Sequence, residues 1–210
     1  MAITLDSSAK SGTAWVTGTI TYAHNNIAGD YLDVVIRSGT DSVTGVTYAG
    51  VSMTQLAKSS SGGVYYHYGL ASPATGSNNV VVSVTGSENR WSASESLIGV
   101  KQTGQPDASN FGSSVSSPNT VSVTTVADNS WLIGIAQGGG SLTGGTGTTL
   151  RQDGTGGTDT VLLDSNGVKS PAGSYSLVCN YTSGTNYLSV ISIAPAVTAK
   201  HSNLLTLGIS

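Results

Sequence analysis

A chain of 210 residues has room for one large domain or two small ones. Only 9% of its residues are charged, the net charge is −3 and the eight Lys and Arg are scattered, which excludes a nucleic-acid footprint. Its 38% hydrophobic content supports a core only if most elements need a single apolar face, and no apolar run is long enough for a membrane span.

The elements expected are strands throughout. Gly accounts for 28 residues and Ser and Thr fill most polar positions, and no window sustains a helical apolar period. In chain order the first set of strands is 15–22, 31–38, 51–58, 64–70, 79–85 and 91–100. A polar stretch with two prolines, 101–119, reads as a join. The second set is 119–126, 130–137, 147–153, 159–165, 174–182 and 186–194. Gly, Asn, Asp, Ser or Pro clusters bound nearly all of them. The run GGGSLTGGTGTT, 138–149, has neither a phosphate-loop lysine nor a following helix and reads as a long flexible hairpin loop.

The two sets correspond in order. SPATGSNNVVVSVTG (72–86) answers SPAGSYSLVCNYTSG (170–184), and GDYLDVVIRSG answers DNSWLIGIAQGG with Leu32 opposite Leu132. Asn89 then aligns with Asn186 and Ser92 with Ser189. The repeat is too long for a solenoid. The expected fold is all-β: an antiparallel two-sheet β-sandwich of jelly-roll type with internal pseudo-duplication, the alternative being two tandem Ig-like sandwiches. Residues 1–195 are read as a single sandwich domain of two similar halves, about 11–100 and 115–195, and 196–210 as a C-terminal arm that pairs with a neighbouring copy or adds a strand to the same sandwich.

Few residues suggest chemistry. Cys179 takes the place of Val82 in the repeat, which makes it a small buried apolar group rather than a nucleophile or disulfide partner. Most carboxylates fall at turns. Glu95 shares a face with Trp91 and Leu97, and is the one candidate for an acid of a glycan-cleaving site, which needs two opposed carboxylates. Asp30, Asp33 and Asp41 are the only hint of a calcium loop, without the spacing of one. His24, His67 and His201 stand in no metal-binding context; His67 is expected to face solvent beside Tyr65. Tyr65 is read as an interface residue or a sugar-stacking ring, with Tyr66 and Tyr68 in the core. No catalytic, cofactor or metal residue is assigned, and no cofactor is expected.

The run VTYAGVSMTQL, then SPATGSNNVVVSVTG, then GVKQTGQPDAS, resembles a loose class of β-sandwich proteins found among phage virion components and bacterial surface proteins. Those share V-x-Y-x-G-V-x-[ML]-T, P-A-T-G-S-x-x-V-x-V and G-V-x-Q-T-x-P patterns. The motifs are turn and strand signatures and imply fold more than function. With this resemblance, the expected role is a phage structural protein, a capsid decoration or virion surface or fibre component that works by assembly rather than catalysis. Its partners would be copies of itself, as a homo-oligomer with a trimer the expected number, and other virion proteins such as a major capsid protein. No nucleic acid or membrane is expected. The chain would be made in the host cytoplasm without a signal peptide and reside in the virion. A carbohydrate-binding module or receptor-binding protein is the alternative, and a glycan-cleaving enzyme the third reading.

Overall fold

The computed structural model describes residues 2–12, 14–154 and 159–197. All elements of these residues are strands, joined by antiparallel pairing into three sheets. The antiparallel all-β sandwich expected from the strand pattern is what the structure shows.

The first sheet runs in the order β1 (Thr4–Lys10), β10 (Asn89–Ile98), β4 (Tyr31–Ser38), β8 (Val64–Ala71), β7 (Thr54–Ser60), with the short β2 (Val16–Thr17) beside β10. The second, β3 (Ile20–Asn26), β9 (Gly76–Val84), β5 (Val43–Tyr48) and β6 (Val51–Ser52), covers one of its faces. β3 alternates buried and exposed along its length, as a strand facing water on one side should. Its Ile20 and Tyr22, with Tyr48, Val80 and Val82, pack on Leu32, Val34, Ile36, Tyr66 and Tyr68 of the first sheet. Each of the latter alternates with a residue on the opposite face.

The third sheet repeats the first. Its order is β11 (Ala108–Ser114), β16 (Ser174–Ile193), β13 (Trp131–Gly144), β15 (Asp159–Asp164), β14 (Thr149–Gly154), with β12 (Asn119–Thr124) paired to β16. β13 and β16 are long enough to serve two layers. Trp131–Gln137 pairs with the last third of β16, whereas Leu142–Gly144 pairs with Cys179–Tyr181 after two register shifts. The sheet therefore folds over on itself and encloses Leu132, Ala136, Leu163, Leu177, Cys179, Leu188 and Val190. The glycine run is thus part of a bulged strand, not a hairpin loop, with Gly140 at φ 71° where the strand bends. The stretch 101–119 likewise holds an ordered strand, β11, rather than a plain join.

Register fixes which residues correspond. Tyr31 lies opposite Leu97, and Trp131 opposite Ile193; Val35 lies opposite His67, and Ile135 opposite Leu162. By the same pairing Ser92 corresponds to Leu188, not Ser189. Ser92 points at the second sheet, where it bonds Tyr22, while Ser189 belongs to the other face of its strand. A slip of one residue exchanges the two faces of a strand.

The two halves meet through equivalent faces. Tyr31, Val35, Trp91 and Leu97 pack on Trp131, Ile133, Ile135, Leu162, Ile191 and Ile193 in one cluster. Trp91 of the first half lies against Gly154 of the second, and Tyr187, which corresponds to Trp91, lies against Gly62 of the first. The contact is reciprocal, as in a two-fold dimer. Strands β4, β8 and β10 are consequently covered on both sides, and β4 is buried at every position.

Candidate functional site

The titratable groups with the least satisfied environment sit in this contact between halves. Asp33, His67 and Glu95 are each 0% exposed. They occupy the places that Ile133, Leu162 and Ile191 take in the second half. Asp33 Oδ2 is 3.4 Å from His67 Nδ1, and neither Asp33 Oδ1 nor His67 Nε2 has a hydrogen-bond partner among the described residues. Both Glu95 carboxyl oxygens are also buried without a partner. The Trp131 indole N–H is close enough to favour the charged form of Glu95, yet outside hydrogen-bond geometry.

Burial dominates the electrostatics here. It pushes the Glu95 carboxyl well above the ordinary range, and the nearby carboxylates Asp164 and Asp33 push it further. Asp33 is also raised by burial, against the pull of His67. Asp164 is raised by burial despite accepting from Arg151 Nε at 2.6 Å. Burial thus disfavours the charged form of all three carboxyls, with Arg151 and His67 opposing it at Asp164 and Asp33. The expectation that Glu95 shares a buried face with Trp91 and Leu97 holds. Among the described residues its side chain is fully enclosed, and a catalytic acid must reach its substrate.

The expected solvent exposure of His67 is corrected. Its side of β8 faces the second half, so the alternation that reads as inside–outside is inside–inside. Tyr65 is 0% exposed for the same reason and is not a surface ring for stacking sugars. Its hydroxyl donates to Gln137 Oε1 at 2.8 Å and its ring meets Phe111 and Tyr187. Tyr66 and Tyr68 lie in the core of the first sandwich, as expected.

A second polar group escaped the sequence reading. His24 is buried between β3 and β10, with Nδ1 2.9 Å from Ser94 Oγ and Nε2 3.1 Å from both Ser96 Oγ and Ser7 Oγ. Ser96 donates on to Asp6. The Ser7–His24 distance suits a nucleophile and base. However, Nδ1 meets a serine instead of an orienting carboxylate, and burial lowers the imidazole to about 4, too weak a base for work near neutrality. The alternating serines of β10 were the available signal.

Several of the other carboxylates tie turns. Asp6 accepts from the backbone of Ile27 and Ala28; Asp107, its counterpart in the second half, accepts from Val126 and Ala127. Asp30 accepts from Gly99 and Val100, and Asp41 bonds Lys58 and Tyr66. Asp30, Asp33 and Asp41 thus go to three different places. Among the described residues no three His, Cys, Asp or Glu side chains converge as a metal site. Cys179 is buried in the place predicted for it, and burial pushes its thiol up to about 12. His201 and most of the arm, 198–210, lie outside the described residues.

One surface cavity, of about 300 Å³, opens between β7 and the turn after Val100, with Tyr31 and Gly69 at its base. Compared with known proteins, the chain matches no family model, no curated protein sequence and no solved structure.

Proposed function

We propose that this protein is a structural component of a phage particle, a capsid decoration or surface-fibre subunit that works by assembly. The observation that carries the reading is a repeated one. Ile27 and Val126 hold the same place in the two halves, are 65% and 74% exposed, and sit on turns clamped by Asp6 and Asp107. Apolar residues held on clamped turns of a sparsely charged Ser-, Thr- and Gly-rich surface suit contacts with a lattice or with further copies. The sealing of Glu95, Asp33 and His67 inside the packed halves supports the same reading, as do the virion-like turn motifs.

Sedimentation of the intact chain tests it. A homo-oligomer, a trimer on this reading, should form and should weaken to monomer in Ile27→Ser/Val126→Ser, with an unchanged melting curve. A chain that stays monomeric at every concentration, or an oligomer indifferent to both substitutions, would set this proposal aside.

A further inference from the structure

The cavity beside Tyr31 lies at the edge of the packing between halves, where the Tyr31 ring joins the shared core and its hydroxyl does not. Tyr31 opens β4, is only 3% exposed, and its hydroxyl has no hydrogen-bond partner among the described residues. It crosses to β8 at Gly69, where any side chain would be driven into it: a Cβ there would fall 2.1 Å from the Tyr31 oxygen. Glycine within a strand commonly marks such a close approach. The result is a polar atom delivered to the base of a hollow.

The walls are organised in advance. Gln102 donates from Nε2 to Val100 O at 2.8 Å and accepts at Oε1 from the Ser72 backbone N–H at 3.0 Å. Gln105 donates to Ala194 O at 2.8 Å and accepts from Ala194 N–H at 3.0 Å. These bonds fix the turn that forms one side. Leu56 and Ala71 supply apolar surface, Thr54 and Thr103 supply hydroxyls, and no charged side chain is among the described lining residues.

We propose that this cavity binds a single neutral sugar residue. Hydroxyls on the ligand would meet those of Tyr31, Thr54 and Thr103, and the C–H face of the pyranose would lie on Leu56 and Ala71. A volume of about 300 Å³ is at the small end for ligand pockets, which suits one ring rather than a chain. The described lining residues themselves carry no charge, which suits a neutral ring. The inference is independent of assembly: it holds for a monomer or an oligomer.

The test is amide NMR of the intact chain titrated with methyl α-glucoside, methyl α-galactoside and methyl α-mannoside up to about 50 mM, well above a millimolar dissociation constant. Saturable shifts confined to Leu56, Gly69, Ala71 and the Gln102–Gln105 turn are expected with at least one. Tyr31→Phe keeps the ring and should weaken binding about five- to tenfold without moving the melting temperature. If that variant does not fold, Thr103→Ala, on the exposed turn, carries the comparison by the same criterion. Absence of saturable shifts with all three sugars, or an affinity unchanged by the hydroxyl removal, overturns the proposal.

Discussion

Arg37 and Gln137 are the seventh residues of corresponding strands, and they meet each other: Arg37 Nε donates to Gln137 Oε1 at 3.1 Å. Residues that correspond and also touch lie beside a local two-fold axis. The two halves are therefore arranged as the subunits of a dimer would be, within one chain. The second half presents mainly Ile, Leu and Trp side chains to that contact, with Gln137 and Asp164 among them, while the first adds Arg37, Asp33, His67 and Glu95.

Gln137 should be costly to remove. Its amide oxygen serves both Arg37 and the Tyr65 hydroxyl, and Arg37 otherwise has Trp15 under its guanidinium and Gly62 O. Gln137→Ala leaves two buried donors short of an acceptor. A loss of about 2–4 kcal/mol is expected, read as a fall in urea midpoint.

Glu95 should be an expense to the fold. Its carboxyl titrates well above its ordinary value because of burial and of Asp164 and Asp33, with Arg151 acting against them. A raised folded pKa means that its contribution is complete below the ordinary carboxyl range and is lost as pH rises through the folded value. Urea midpoints should therefore fall as pH rises above the ordinary carboxyl range. That slope should shrink in Glu95→Gln. Glu95→Leu, which copies the Ile191 solution of the other half, should gain about 1–3 kcal/mol at the higher pH.

His24 should act in the opposite sense. Its pKa is lowered to about 4 from an ordinary 6.5 by burial, so the fold favours the neutral ring. Stability from this group is present above about pH 6.5 and is lost as pH falls toward 4, by about 3 kcal/mol at most. In a Glu95→Gln background the acid-side slope should remain, and His24→Leu should remove it while lowering stability at neutral pH through loss of the serine contacts.

Cys179 should be silent in the native protein. Its thiol is pushed up to about 12 and is enclosed by Leu177, Tyr181 and their neighbours. A thiol reagent such as DTNB should react with one group per chain only after denaturation. Rapid reaction with the folded protein would contradict the packing of the second half.

Some strands with one face to water were legible in the sequence, though β5, which also has one, was not among the expected strands. β3 and β12 alternate cleanly, and the place of Cys179 follows from the parity of Val82. Parity failed where halves stack. On β8, His67 and Tyr65 occupy the face opposite the core tyrosines and read as solvent-facing, yet that face meets another sheet. The edge strands β1 and β11 escaped notice because Ser, Ala and Asn give them little apolar signal. β13 and β16 were cut short because glycines at a bend look like the end of a strand. The cavity could not be read at all, since it depends on Gly69 and Tyr31 coming side by side from strands far apart in the chain.

The twenty-residue span of β16 has a mechanical consequence. In the first half, the corresponding strands β9 and β10 are separate, and a pull on the chain can free one layer before the other. In the second half, β16 is bonded to β12 and the end of β13 in one layer and to β11 and the start of β13 in the next. Tension along it loads both ladders in shear at once, so the layers resist together and rupture together. The carboxyl-terminal half is the stiffer spring, and a body anchored through it would transmit force to the amino-terminal half before yielding itself.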